Sequence, residues 1–220
     1  MAPNGTAVVS TMTPSSTASP LITQCTASAD IVFVLDASGS IGDVQYRLVL
    51  SFVKNFINSS TSGSSSDLRF GLVIFSDSVQ KISELNTYND IQELNKAIDD
   101  APYPGGFTYT NKGLNMARQM FLLHGRVNTP HVIILMTDGY STSRNQTLLE
   151  SQGLRVSNIT MISIGLGDII DQSELNEISK PGDVFVVKDY NKLKDFLGQL
   201  LNKFCQTVSG SQISTGELAM

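Results

Sequence analysis

The chain has 220 residues, 41% hydrophobic and 16% charged, with a net charge of −5. That length suits one sizeable core with tails, because a domain of this size buries roughly 70% of its unfolded surface. The acidic balance lacks the basic footprint that nucleic acid or an anionic membrane selects, and no apolar run approaches the ~20 residues of a membrane span. Nucleic-acid binding and membrane insertion are therefore not expected.

Residues 1–27 open with MAPNGTAVVSTMTPSSTASP, a Ser/Thr/Pro-rich composition that cannot bury a core and reads as a flexible linker. It lacks the basic start and continuous apolar segment of a signal peptide, so a secreted protein would carry its signal upstream or have lost it. The folded unit is expected over about 28–205, with a second flexible tail at 206–220. Within it, strand-like runs are read at 31–36, 69–75, 78–83, 131–137, 159–165 and 183–188. Helical patterns fall between them at 43–58, 88–100, 111–124, 144–157, 171–180 and 190–204. In the first helix Val44, Leu48, Phe52 and Phe56 recur every four residues. Several strands are apolar on both faces, so helices must cover both faces of the sheet. The fold class expected is α/β: a doubly wound, mostly parallel, Rossmann-like sheet, with the polar run 78–83 as an antiparallel edge strand.

Ligands of an open α/β sheet sit beyond the carboxyl ends of its strands, where strand order reverses. Three segments at such ends carry short oxygen-bearing side chains on Gly-containing loops: DASGSIG (36–42), PGGFTYTNKG (104–113) and TDGYS (137–141). Asp36, Ser38 and Ser40 alternate in the first, Thr108 falls in the second and Asp138 in the third. Carboxylates and hydroxyls without His or Cys suit a hard cation: Mg²⁺, with Mn²⁺ or Ca²⁺ as alternatives. Because most of these donors are neutral, two carboxylates balance the ion and leave it able to accept a further carboxylate.

Enzyme readings lack their parts. A DxDxT phosphotransferase needs an acid where Ser38 stands, no GxxxxGK[ST] loop occurs, and Ile170 replaces the third glycine after Gly165 and Gly167. A serine hydrolase would need a histidine beside its nucleophile, and His124 and His131 read as capping or solvent-facing residues.

The only two cysteines, Cys25 and Cys205, bracket the patterned sequence. A disulfide between them would imply an oxidising compartment, although pairing between two chains, and hence self-association, is the alternative. Sequons at Asn4, Asn58, Asn145 and Asn158 agree with secretion and are candidate N-glycosylation sites.

DASGS, GGFTYT and TDGYS, in that order and on those elements, resemble the von Willebrand factor type A domain with its metal-ion-dependent adhesion site. The stretches ADIVFVLDASGSIG, RFGLVIFS, ISIGLGD and PGDVFVVKDYNKLKDFLGQLLNKFC extend the resemblance over about 28–205, closest in look to A domains of matrilins and collagen VI. It implies that Asp36, Ser38, Ser40, Thr108 and Asp138 hold the metal, the two aspartates often through water. Asn111 and Gly113 depart from the family's usual Gly and Ala. The implied function is an extracellular adhesion or matrix-assembly module, not an enzyme. An acidic residue of a matrix protein such as collagen would complete the metal's coordination, and Phe107, Tyr109, Gly139 and Tyr140 would form the contact rim. A structural role that does not use the metal is the alternative. Cys205 ends the last helix, so a bond to Cys25 would tether it and limit long-range switching.

Overall fold

The computed structural model describes residues 28–62, 67–88 and 90–213. Strand β1 (Ser28–Asp36) divides its side chains between two cores. Ile31, Phe33 and Leu35 face one, and Val32 and Val34 face the other. All are fully buried. Such a strand is stable only when both sheet faces are covered, and the remaining elements cover them.

In chain order these elements are α1 (Asp43–Thr61), β2 (Asp67–Phe75), β3 (Val79–Ser83), α2 (Ile91–Asp99), α3 (Thr110–His124) and β4 (His131–Thr137), followed by α4 (Arg144–Val156), β5 (Thr160–Leu166), α5 (Gln172–Ile178), β6 (Val184–Val187) and α6 (Leu193–Ile213). The sheet order is β3-β2-β1-β4-β5-β6, with β3 antiparallel to β2 and every other pair parallel. Helices α1, α2 and α6 pack on the face of Phe33 through Phe52, Phe56, Leu94, Ile98, Leu200 and Phe204. On the other face, Leu114, Ala117, Leu154 and Leu175 from α3, α4 and α5 pack against Val32 and Val34. The expected doubly wound sheet with an antiparallel edge is the fold observed.

Gly113, one of the two departures from the family pattern, has a packing reason. A Cβ there would lie 2.7 Å from Val34 Cγ1 and 2.8 Å from Phe75 Cδ1, so α3 approaches β1 and β2 closely where a side chain would clash. Gly costs about 1 kcal/mol relative to Ala in a helix interior, which the close approach offsets.

The last helix extends past the expected boundary. Leu200, Leu201, Phe204 and Val208 form one buried stripe, so α6 continues eight residues beyond Cys205 to Ile213. The run after Cys205 looks polar in composition, but Val208 falls in register with the stripe and carries the helix on. Cys25 and Asn4 lie outside the described residues. Among the described residues, no helix is long and apolar enough to cross a membrane.

At the amino end of the sheet Asp30 is fully buried. It accepts from Arg126 N at 2.7 Å and Arg126 Nε at 2.8 Å, and the same guanidinium donates to Ala29 O at 2.8 Å. His131 stacks on Phe121, ring centroids 4.6 Å apart, with Nε2 3.6 Å from Asp30 Oδ2. His131 is thus a half-buried packing residue that does not face open solvent.

Candidate functional site

From β1 the chain moves to β2 and β3 on one side, then returns to place β4, β5 and β6 on the other. The loops leaving β1 and β4 therefore diverge, and the space between them is the switch point of the sheet. Asp36 is the last residue of β1, and Asp138 follows the last residue of β4.

Asp36 is buried, with 1% of its surface exposed. Its Oδ1 accepts from Ser38 N at 2.9 Å and its Oδ2 from Thr137 Oγ1 at 2.6 Å. Burial pushes its carboxyl up to about 6; the Ser38 and Thr137 bonds oppose that, and the nearby Asp138 charge adds to it. Ser38 Oγ lies 3.1 Å from Ser40 Oγ, and Ser40 Oγ donates to Asp138 Oδ1 at 2.9 Å. Burial also raises the Asp138 carboxyl above its ordinary value, against the Ser40 bond. Among the described residues no Lys, Arg or His side chain acts on either carboxylate. Among the described residues no three His, Cys, Asp or Glu side chains are grouped so as to hold a metal ion by themselves, so the donors here are two carboxylates with hydroxyls around them.

The second loop is fastened by its backbone to both of the others. Gly39 N donates to Gly106 O at 2.9 Å and Gly105 N to Ala37 O at 3.0 Å. Thr108 N donates to Thr142 Oγ1 at 3.0 Å, and Thr142 N donates to Thr108 O at 2.8 Å. Gly106 has φ +92°, and a Cβ there would strike the Asp77 carboxylate, which accepts from Phe107 N at 2.9 Å. Only glycine fits that turn comfortably. The structure therefore brings the segments carrying Asp36, Ser38, Ser40, Thr108 and Asp138 to one place.

The side chains that hold this arrangement were largely missed in the sequence. Glu174, nearly buried on α5, accepts from Ser141 N at 3.2 Å and from Ser141 Oγ, fixing the third loop. Tyr103 OH donates to Ser38 O at 2.8 Å and accepts from Gly42 N at 3.0 Å. Burial, with the charges of Asp138 and Asp36, pushes the Tyr190 hydroxyl up. Thr137 opens TDGYS and Thr142 follows it, so both are within reach of a local reading. Tyr103, Glu174 and Tyr190 carry no comparable local signal.

Of the expected rim, Phe107 and Tyr140 are 65% and 61% exposed. Tyr109 is half-buried: it meets Phe107 edge-on at 6.4 Å, and Lys112 Nζ stands 4.0 Å from its ring centroid. A Cβ on Gly139 would meet nothing closer than Ser40 Oγ at 4.0 Å. Val44 and Ile169, 70% and 80% exposed, lie at the same end of the sheet and were not anticipated as rim residues. Asn111, the other departure, uses its side chain to reach Gln146 Oε1 at 3.1 Å, linking α3 to α4.

A six-stranded doubly wound sheet with this oxygen cluster at its switch point defines a class, and the von Willebrand factor type A domain profile matches residues 30–199. The chain belongs to that family. Among its relatives, the collagen alpha-5(VI) chain of Mus musculus is 31% identical over 180 residues, covering 80% of this chain and 7% of the relative. The collagen alpha-1(XXI) chain of Homo sapiens is 28% identical over 184 residues, covering 82% of this chain and 19% of the relative. The chain thus spans a small part of the curated relatives it matches. Among solved structures, proximal thread matrix protein 1 from the mussel byssus superposes with a TM-score of 0.76 at 28% identity, covering 83% of this chain and 49% of that one. A further structure of that mussel protein, described as having a zinc-occupied MIDAS motif (the metal-ion-dependent adhesion site), gives a TM-score of 0.74 at 27% identity.

Proposed function

We propose that this domain is an extracellular matrix-binding module in which a divalent cation bridges the domain to a carboxylate of its partner. The observation that carries this reading is the pair Asp36 and Asp138: two desolvated carboxylates among hydroxyls, with no cationic side chain acting on them among the described residues. Such a set suits a hard cation, for which Mg²⁺ is the first choice and Mn²⁺ or Ca²⁺ alternatives. Asp36, Ser38, Ser40, Thr108 and Asp138 would hold it. The ion, when bound, supplies an electrophilic position for an incoming Asp or Glu. The chain's own residues do the rest: Thr137 and Ser38 N orient Asp36, Thr142 fixes the backbone of Thr108, and Glu174 fixes the loop after Asp138.

Relatives that are collagen chains and a byssal matrix protein support matrix proteins, collagen among them, as the partner class. Phe107 and Tyr140, with Val44 and Ile169, would give the partner an apolar rim around the charged centre. In this reading Cys205 pairs with Cys25 in an oxidising compartment and tethers α6, which peptide mapping without reduction would test.

The test is binding of the domain to immobilised collagens and other matrix proteins in Mg²⁺ or Mn²⁺, repeated with EDTA and with Asp138→Ala. Binding lost in both cases is the expected result. Binding that survives both would place the interface away from these loops and favour a structural assembly role without metal.

A further inference from the structure

Thr147 faces the core from α4, fully buried, and among the described residues its hydroxyl has no hydrogen-bond partner. A buried hydroxyl without a partner destabilises a fold, and valine would fill the same space without one. Folding therefore gives no reason for a hydroxyl at this position. Thr147 is also the third residue of Asn145-Gln146-Thr147, a sequon in which that hydroxyl is required before the chain folds. The sequon at Asn58 makes the contrast: its hydroxyl, on Ser60, donates to Ile57 O at 3.0 Å and so has a role in the folded state.

Asn145 is exposed in the first turn of α4. At about 100° per residue, Leu149 and Val156 lie within about 40° of it on the helix surface. Both are uncovered, 66% and 89% exposed. Asn158, also exposed, stands in the turn two residues beyond Val156, with φ +57°. The two acceptors thus bracket an apolar strip roughly 10 Å long.

We propose that Asn145 carries an N-linked oligosaccharide that lies along Leu149 and Val156 and covers them, with Asn158 as a second acceptor at the far end. This rests on the extracellular reading, since the chain must pass through a secretory compartment, but not on the metal. In the transfer, the Asn145 amide nitrogen bonds to the anomeric carbon of a lipid pyrophosphate-linked oligosaccharide. The carbon–oxygen bond to pyrophosphate breaks, the amide loses a proton, and the lipid pyrophosphate leaves.

The experiment is to secrete the full chain from eukaryotic cells behind a cleavable signal and map its peptides by mass spectrometry, before and after the amidase that converts a glycosylated Asn to Asp. Asn145 is expected to carry sugar, and Thr147→Val to lose it. Made without glycans in the bacterial periplasm, Thr147→Val is expected to melt about 2–4 °C higher than the parent. The Asn145→Gln, Asn158→Gln double variant is expected to self-associate more by light scattering, and Leu149→Ser with Val156→Ser to reverse that. A bare Asn145 in the secreted chain would overturn the proposal and leave the matrix-binding reading untouched. A Thr147→Val variant that melts lower would remove its premise, and unchanged self-association would remove the covering role. Failure of metal-dependent binding would leave the peptide map unaffected.

Discussion

Asp30 and Asp36 sit on the same strand and the same face of it, six residues apart, and both are buried. Asp30, at the amino end, receives two hydrogen bonds from Arg126 and lies near His131. Asp36, at the carboxyl end, receives the Ser38 backbone N–H and the Thr137 hydroxyl, with a second carboxylate close by. One buried charge is completed by the protein. The other is left to dipoles, which is the state expected of a carboxylate whose cation comes from solution. The contrast separates a carboxylate that closes the fold from one that serves a ligand.

The largest effect should come from breaking the closed end. Arg126→Leu leaves Asp30 buried without its partner and is expected to cost about 3–5 kcal/mol in urea denaturation, with or without Mg²⁺. If that loss shrank when Mg²⁺ was added, the two ends would not be independent. Asp30→Asn should likewise destabilise strongly. Asp36→Asn is expected to raise metal-free stability at pH 7, by no more than about 3 kcal/mol, because it removes an unpaired charge along with some hydrogen bonding. It should abolish stabilisation by the cation, which is worth about 2.7 kcal/mol at a hundredfold excess over Kd.

Next in size is a pH effect confined to the open end. Asp36 has a folded pKa of about 6, above its ordinary 3.8, so protonation favours the metal-free fold. Its contribution is fully present below pH ~4 and is lost as pH rises through about 6, an amplitude on the order of 3 kcal/mol. Metal and proton compete for the same carboxylate, so the rise in melting temperature with Mg²⁺ should be small at pH 5 and grow toward pH 7. Melting curves of the parent and Asp36→Asn, with and without Mg²⁺, check both signs. A Mg²⁺ effect that fell as pH rose would count against Asp36 as a ligand.

The smallest effects belong to the rim. Phe107→Ala and Tyr140→Ala should weaken partner binding by about 1–2 kcal/mol each while leaving cation affinity unchanged. A rim substitution that altered metal affinity would show that the loop conformation, not the contact, had changed.

The same contrast explains what the sequence disclosed. The elements were legible because both-face apolar strands such as IVFVL and RFGLVIF, with helical periodicity between them, admit few architectures. The ligand segments were legible because each is a short local pattern at a strand end. Arg126 was not: it reaches Asp30 across 96 residues of chain, and nothing near either residue marks the pair. Glu174 lies 33 residues from Ser141, again with no local mark of the pairing. The extension of α6 was hidden in a Ser/Thr-rich run, where only Val208 signals that the apolar stripe continues. Local motifs were readable, then, and the partners that orient them across the sheet needed the fold.

The most direct test of the central claim is a calorimetric titration of Mn²⁺ into the parent domain, Asp36→Asn and Asp138→Ala at pH 7. The account predicts one site per chain in the parent and none in either variant, with the folded state retained in both. A site that persists in both variants, or a parent domain that binds no cation, would contradict it.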